Sequence, residues 1–171
     1  GKQMKLKAII LATGLINCIA FSAQAVDSTI TITGNVRERT CTVPSISVNL
    51  GDMYTSDFSG SNAASAWHDA VLTLTNCQYV SRVQATFNGT PDATNANYFK
   101  NTAGNSPATG LAIQLEDKDS PGAVYKSGAQ KTVTASNGSA SFNMQVRAIK
   151  TGNRVTSGTI QSVITVTYTY S

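Results

Sequence analysis

The sequence has little charge and almost none of the side chains that bind metals tightly. Of its 171 residues, 13% are charged, one is histidine (His68), and three are cysteine. A His-rich metal site and a four-cysteine zinc site are therefore excluded, and we expect neither a metal nor a cofactor. The low charge and the abundance of Val, Ile, Thr and Tyr argue against long helices, a coiled coil and disorder.

The first 25 residues are typical of a secretory signal peptide. Three lysines precede an apolar stretch over residues 8–21, and small residues at Ala23 and Ala25 form a cleavage motif. The sequence therefore predicts cleavage between Ala25 and Val26, and export. A retained membrane anchor is the alternative, but the stretch is too short to span a bilayer well.

The net positive charge of the sequence lies largely in this leader. Its removal takes away three of the 13 basic residues and none of the nine acidic ones, which leaves ten against nine. No stripe of Lys and Arg remains, so a nucleic-acid partner is not expected.

Two cysteines remain after the leader is removed. Cys41 and Cys77 form an even pair in an exported chain, which predicts one disulfide bond. Two buried free thiols are the alternative. Neither cysteine belongs to a C-x-x-C pair, so a reactive thiol is not indicated.

The rest of the chain alternates between apolar and polar residues in short segments separated by Gly, Asn and Pro. This pattern predicts an all-β sandwich in a single domain. Residues 63–70 have helical composition for two turns at most. A turn at Asn137-Gly138 predicts that the strands before and after it pair with each other. We expect strands over residues 28–36, 71–75, 82–87, 111–115, 131–134, 140–149 and 159–170.

Both ends of the mature chain are unusual for strands. The first strand begins almost at the N-terminus, where chains usually fray unless something holds them. The last strand reaches almost to Ser171, so no later strand can pair with its free edge, and such an edge is a liability unless it is covered.

Five segments of the mature chain resemble pilin subunits of the chaperone–usher type. The resemblance is strongest to the minor tip subunits of type 1 fimbriae, the FimG type. It implies an incomplete immunoglobulin-like β-sandwich that lacks its last strand and carries an N-terminal donor-strand extension. The segments that carry it are Asp27 to Ile32, Cys41 to Val43, Ala63 to Asp69, Leu74 to Cys77, and Gly158 to Ser171.

The resemblance also implies how the two ends are used. Residues 1–25 would be the signal peptide, 26–39 a donor-strand extension and 40–171 the pilin domain. The donor residues that face a neighbour's groove would be Ser28, Ile30, Ile32, Gly34 and Val36, where Ser28 departs from the apolar residue expected. The strand that binds the chaperone and borders the groove would present Gly158, Ile160, Ile164, Val166, Tyr168, Tyr170 and Ser171.

Enzymatic sites are poorly supported. His68 and Asp69 are sequence neighbours whose side chains need not meet, and there is no G-x-S-x-G motif. The acidic residues 116–119 lack the spacing of a calcium loop and are interpreted as a solvated turn. Trp67 could stack on a sugar, but a single tryptophan in an all-β domain is more typical of a core or a groove wall.

We therefore expect a structural, non-enzymatic subunit of the pilus tip that links an adhesin to the next subunit. Its partners would be a periplasmic chaperone, an outer-membrane usher and neighbouring pilins, including the tip adhesin. It would pass through the periplasm to the cell surface. The alternatives are a major shaft pilin and a secreted, free-standing carbohydrate-binding sandwich.

Overall fold

The computed structural model describes residues 8–10, 19–21, 23 and 25–171, and it divides into two units, residues 1–36 and 37–171. In the first unit, β1 (Ala8–Ile10) pairs antiparallel with β2 (Ile19–Phe21). Most of the proposed signal peptide lies outside the described residues. Within the described part of the chain, no helix is long and apolar enough to cross a membrane.

Residues 27–36 belong to no strand or helix. Ile30 and Ile32 are 87% and 88% exposed, and Val36 is fully exposed. The strand expected over residues 28–36 is therefore not formed, because a strand needs a hydrogen-bonded neighbour and none of the described residues pairs with this segment. Their alternating pattern is left without a β-partner.

The second unit contains two antiparallel sheets and one short 3₁₀ helix, Thr55–Phe58. The larger sheet has the order β3-β4-β10-β7-β6, with β8 also paired to β7, and the smaller sheet has the order β11-β5-β9. The strands are β3 (Thr40–Thr42), β4 (His68–Gln78), β5 (Arg82–Asn88), β6 (Phe99–Lys100), β7 (Leu111–Asp117), β8 (Val124–Tyr125), β9 (Ala129–Thr134), β10 (Ala140–Lys150) and β11 (Thr165–Tyr170).

The two sheets face each other across one hydrophobic core. Phe87 of β5 and Phe142 of β10 meet edge to face, with ring centroids 6.5 Å apart. Alternate residues of β4, β5 and β10 are buried, as a sheet with one solvated face requires. The all-β sandwich expected from the sequence is confirmed.

The expected pairing across Asn137-Gly138 is wrong. Both residues have positive φ, 53° and 73°, as a tight turn of this kind requires. However, β9 pairs with β5, whereas β10 pairs with β4 and β7. The turn therefore carries the chain from one sheet to the other. Alternation fixes which face of a strand is buried, but it does not fix which strand lies beside it.

Two other expectations need correction. Residues 63–70 form no helix, since Ala64 bridges to Ile149 and β4 begins at His68. The last strand pairs with β5 only from Thr165 onward. Before that point its partner is a different segment, because the Gln161 carbonyl accepts a hydrogen bond of 2.7 Å from the Thr102 amide.

The disulfide is confirmed. It joins Cys41 of β3 to Cys77 near the end of β4, with the two Cα atoms 4.0 Å apart. Closing a loop of this length restricts the unfolded chain and contributes about 3 to 4 kcal/mol in the loop-entropy model.

Candidate functional site

The C-terminal strand presents a row of inward-facing side chains that are only half-buried. In β11 and the residues before it, exposure alternates strictly, with the even-numbered positions turned inward. Val166, Tyr168 and Tyr170 pack against the core but remain partly exposed. On the neighbouring β5, by contrast, Val83 and Phe87 have no exposed surface. The row is therefore covered on one side only.

The cause of this partial exposure is the position of β11 in its sheet. Residues 165–170 pair with β5 and, within residues 37–171, with no second strand. An edge strand presents unpaired N–H and C=O groups that can template pairing with another chain. The inward row and this edge together form an open groove, which we call the β11 groove.

A second run of half-buried apolar residues packs against the same core. Between β3 and the 3₁₀ helix no strand is formed, and Val48, Leu50 and Met53 are partly buried against the core cluster. Val43 and Ile46 in the same run are about half exposed, at 52% and 46%. The domain thus leaves apolar surface in two places that a further strand could cover.

The C-terminal residue is held rather than frayed. A Ser171 oxygen accepts hydrogen bonds from the Ser81 and Arg82 amides at 2.7 and 3.0 Å, and the Ser171 amide donates to the Arg82 carbonyl at 3.0 Å. The end of the chain therefore has a defined position at the start of β5.

Gly158 owes its identity to a close approach of two chain segments. A Cβ at this position would lie 2.4 Å from the Ala108 nitrogen and 2.5 Å from the Ser106 oxygen. Any other residue would collide with backbone there. Its sequence position matched the pilin pattern, and the structure supplies this packing reason for it.

Tyr168 contains the one buried side-chain polar atom that lacks a partner in the described part of the chain, its hydroxyl oxygen. Its ring lies 6.0 Å from that of Phe142 on the facing sheet. Burial raises the pKa of the phenol, and the neighbouring Tyr170 raises it further, so Tyr168 stays a neutral hydrogen-bond donor.

Sequence reasoning missed a buried polar cluster on β7. The interpretation of residues 116–119 as a solvated turn is wrong for Glu116 and Asp117, which are both buried. Asp117 accepts hydrogen bonds from the Tyr125 hydroxyl at 2.8 Å and from the Lys131 ammonium at 2.6 Å. Because Lys131 belongs to β9, the ion pair joins the two sheets.

The contacts within this cluster shift the pKa values of the Asp117 carboxyl and the Tyr125 phenol in opposite directions. Burial raises the pKa of Asp117, but the hydrogen bonds from Lys131 and Tyr125 and the charge of Lys131 outweigh it, so the pKa lies below its ordinary value. Burial and the bond to Asp117 raise the pKa of Tyr125 far above its ordinary value. The described residues contain no group of three or more His, Cys, Asp or Glu that could hold a metal ion.

Trp67 is neither a core residue nor part of the β11 groove. The Arg147 guanidinium lies over its ring, 4.1 Å from the centroid, and the Arg147 Nε donates to Gln114 Oε1 at 2.7 Å. Arg147 alternates with the buried Val146 and Ala148, so this stack lies on the outer face of the larger sheet. The sequence alone did not indicate that Arg147 and Gln114 lie together beside Trp67.

Comparisons with known proteins agree with this architecture. The model of the family described as "Fimbrial protein" matches residues 30–171. The S-fimbrial adhesin protein SfaS of Escherichia coli O6:K15:H31 (strain 536) is 54% identical over 98% of this chain and 100% of SfaS. Protein FimG of Escherichia coli K12 is 46% identical over 86% of this chain and 87% of FimG.

The fold is shared with solved pilin structures. The crystal structure of the P pilus rod subunit PapA superimposes with a TM-score of 0.64, at 19% identity, over 77% of this chain and 99% of PapA. That likeness concerns the fold alone, whereas the family match and the two relatives concern the sequence of nearly the whole chain. This chain therefore belongs to the fimbrial protein family, and it is a structural pilin subunit of the chaperone–usher type.

Proposed function

We propose that this chain is a minor subunit of a pilus tip, which links an adhesin to the next subunit by donor-strand exchange. The observation that carries the proposal is the half-buried inward row of β11 beside an edge with no second partner strand. Similarity to FimG and SfaS supports a minor rather than a shaft subunit.

The strand that this chain would donate lies in residues 26–39, ahead of a pilin domain at residues 40–171. Ile30, Ile32 and Val36 are exposed apolar residues on one side of the extension, and no β-partner for them lies in the part of the chain that the structure describes. An extended segment with this pattern can add a strand to an open sheet edge, where its backbone supplies hydrogen bonds and its alternate side chains fill pockets. Ser28 and Gly34 would occupy the remaining two positions of the donor row.

The same edge would be covered by a chaperone before assembly. A subunit exported with an open β11 groove exposes apolar surface that favours aggregation, so a periplasmic chaperone would bind β11 and the fixed Ser171 terminus. An outer-membrane usher would then exchange the chaperone for a neighbouring subunit. The groove-bordering residues in this role are Gly158, Ile160, Ile164, Val166, Tyr168, Tyr170 and Ser171.

The donor role is tested with a charge in the donor row. Ile32→Asp places a carboxylate in an apolar groove, which is costly without a partner. We expect the exported subunit to fold and bind its chaperone normally but to fail to enter pili, as measured by immunoblotting of sheared pili.

Thr31→Asp is the matched control, because Thr31 is the adjacent residue and points away from the groove in the same strand. It should be incorporated nearly as well as the original chain. If Ile32→Asp instead unfolded the chaperone-bound subunit, residues 26–39 would belong to the subunit's own sandwich and the proposal would be wrong.

The tip position has its own test. Mass spectrometry of cross-linked pili should find an adhesin joined to the extension of this chain and a different subunit joined to its β11 groove. Long runs of this chain cross-linked to itself would identify a major shaft pilin instead.

A second candidate function is adhesion by this chain itself, which the name of SfaS favours. The stack of Arg147 on Trp67 is a partly exposed aromatic surface on which a carbohydrate could bind. Pili that contain Trp67→Ala in this chain should then lose receptor binding while remaining assembled. Unchanged receptor binding would show that this surface is not an adhesive site, and the linking function would remain as the proposal.

A further inference from the structure

The sequence contains two Asn-Gly pairs, and the structure places them in very different surroundings. An asparagine loses its side-chain amide most readily when glycine follows it, because glycine has no Cβ to keep its own amide nitrogen away from the asparagine side chain. One pair, Asn137-Gly138, lies in the turn between β9 and β10. The other, Asn88-Gly89, lies at the end of β5.

The Asn137-Gly138 pair is open to water, and its reacting groups are not engaged. Both residues are exposed, and both have positive φ, 53° and 73°. Two backbone hydrogen bonds between Ser136 and Ser139 close the turn, at 2.8 and 3.0 Å. Neither bond uses the Gly138 amide, which has no acceptor among the residues that the structure describes. The Gly138 nitrogen is therefore available to the neighbouring Asn137 side chain.

The Asn88-Gly89 pair is held on both sides. Asn88 is the last residue of β5 and pairs with Thr165 of β11. The Gly89 amide donates a hydrogen bond of 3.2 Å to the Ser127 Oγ. Gly89 is also packed so closely that a Cβ there would lie 2.6 Å from the ring of Phe99. Turning the Gly89 nitrogen toward the Asn88 side chain would break the hydrogen bond and disturb this packing.

We propose that Asn137 is a site of spontaneous deamidation in the folded protein, whereas Asn88 is protected by the fold. The Gly138 nitrogen gives up its proton to the solvent and attacks the Asn137 Cγ. The new C–N bond closes a cyclic imide, and the side-chain nitrogen takes up a proton and leaves as ammonia. Water then opens the imide at either carbonyl, so residue 137 becomes an aspartate or an isoaspartate. The reaction needs only water, and it does not depend on donor-strand assembly.

The modified turn is tied to the disulfide-linked end of β4. The Cys77 amide donates a hydrogen bond of 2.9 Å to the Gly138 carbonyl, and Cys77 is bonded to Cys41. An isoaspartate routes the main chain through the former side chain and lengthens it by a carbon atom, so the tight turn cannot keep its closing hydrogen bonds. The Gly138 carbonyl then moves away from the Cys77 amide. Ageing of the protein therefore adds a negative charge to the turn and loosens the end of β4.

The test follows both asparagines in one sample. The purified exported protein is incubated at mildly alkaline pH, either native or unfolded in urea, and peptide mapping by mass spectrometry measures the conversion of each amide to an acid. In urea, the two sites should convert at similar rates, because the dipeptide is the same. In the native protein, Asn137 should convert, and Asn88 should convert at least about tenfold more slowly, since a hydrogen bond and a strand pairing must open first.

The matched control variant is Asn137→Gly. Glycine adopts the positive φ of this position without strain and has no side-chain amide to lose. Hydrogen–deuterium exchange of the Cys77 amide measures the effect of the modification on β4. Exchange should become faster when the original chain is aged, and it should stay unchanged when the Asn137→Gly chain is aged for the same time.

Three outcomes decide the proposal. Conversion of Asn137 ahead of Asn88 in the native protein, with faster exchange at Cys77, supports it in full. If Asn137 converts only in urea, or no faster than Asn88 in the native protein, the turn does not expose a reactive site and the proposal is wrong. If Asn137 converts but the Cys77 amide exchanges at its original rate, the predicted loosening of β4 is wrong.

Discussion

Adjacent strands of the smaller sheet differ sharply in how well they are covered. β5 lies between β9 and β11, and its inward residues Val83, Ala85 and Phe87 have no exposed surface. β11 has the same alternation but one partner strand, and its inward Val166 and Tyr168 stay half-buried. Burial of a β-residue thus depends on the strands that flank it as much as on its own pattern.

The contrast extends through the domain. The closed side, formed by β4, β5, β7, β9 and β10, contains the fully buried aromatic residues Phe87 and Phe142 and the sheet-joining pair of Asp117 and Lys131. The open side, formed by β11 and residues 43–54, contains the half-buried residues and the unpaired Tyr168 hydroxyl. Under the donor-strand proposal, one further strand beside β11 would cover the open side.

The largest expected effect comes from supplying that strand. Fusing residues 26–36 after Ser171 through a flexible linker should raise the melting temperature of residues 40–171 sharply. Burial of the three apolar side chains of the donor row, Ile30, Ile32 and Val36, at about 1.5 to 3 kcal/mol each contributes roughly 4.5 to 9 kcal/mol before ordering costs. That is comparable to the stability of a whole domain, about 5 to 15 kcal/mol.

Calorimetry of the fused and unfused domains measures the effect. A fused strand with Ile30 and Ile32 both changed to Asp is the control, and it should give no gain. Equal and high melting temperatures with and without the fused strand would show that the β11 side needs no completion.

A smaller effect should separate two valines that the sequence alone does not distinguish. Val83→Ala on β5 should cost about 2 kcal/mol, because it removes two buried carbons and leaves a cavity. Val166→Ala on β11 should cost roughly half of that in the unfilled domain, since the side chain is partly hydrated already. Urea denaturation gives both values.

The same two substitutions test the comparison of β5 with β11 a second time, in the domain whose groove is filled by the fused strand. In the strand-fused domain, the cost of Val166→Ala should rise to that of Val83→Ala, while the latter stays unchanged. A difference that persists after filling would mean that the half-burial of Val166 has another cause.

The smallest expected effect is a pH dependence confined to the closed side. Because the pKa of Asp117 is lowered in the folded state, its ionisation stabilises the fold above the ordinary carboxyl pKa of about 4, and this contribution is lost as the pH falls through the lowered value. Asp117→Asn should therefore be less stable than the original chain at pH 7, with the gap narrowing at pH 3. Chemical denaturation at both pH values measures the difference in the free energy of unfolding between the two chains. A difference that does not change with pH would show that Asp117 stabilises the fold through packing and not through its charge.

The sequence alone predicted the sandwich, most strand positions and the disulfide, because those depend on local alternation and on counting cysteines. It did not predict that β9 and β10 lie in different sheets, since alternation carries no information about the neighbouring strand. It also failed for Asp117, whose burial depends on Lys131 and Tyr125 arriving from distant parts of the chain.

For the candidate site, the sequence indicated the two unusual ends but not their detail. The alternation up to Tyr170 predicted an open edge, and within residues 37–171 β11 has one partner strand. The missing partner of the Tyr168 hydroxyl could not be predicted, because it is a property of how the ring packs against Phe142.

The fixed position of Ser171 has a consequence for how the protein is made. The pairing of β11 joins Thr165 to Asn88 and Tyr170 to Val83, and the last residue bonds to the start of β5. A chain emerging N-terminus first therefore exposes β5 without its outer partner until residues 165–171 have also emerged. For that interval β5 depends on its surroundings to keep it from pairing with another molecule.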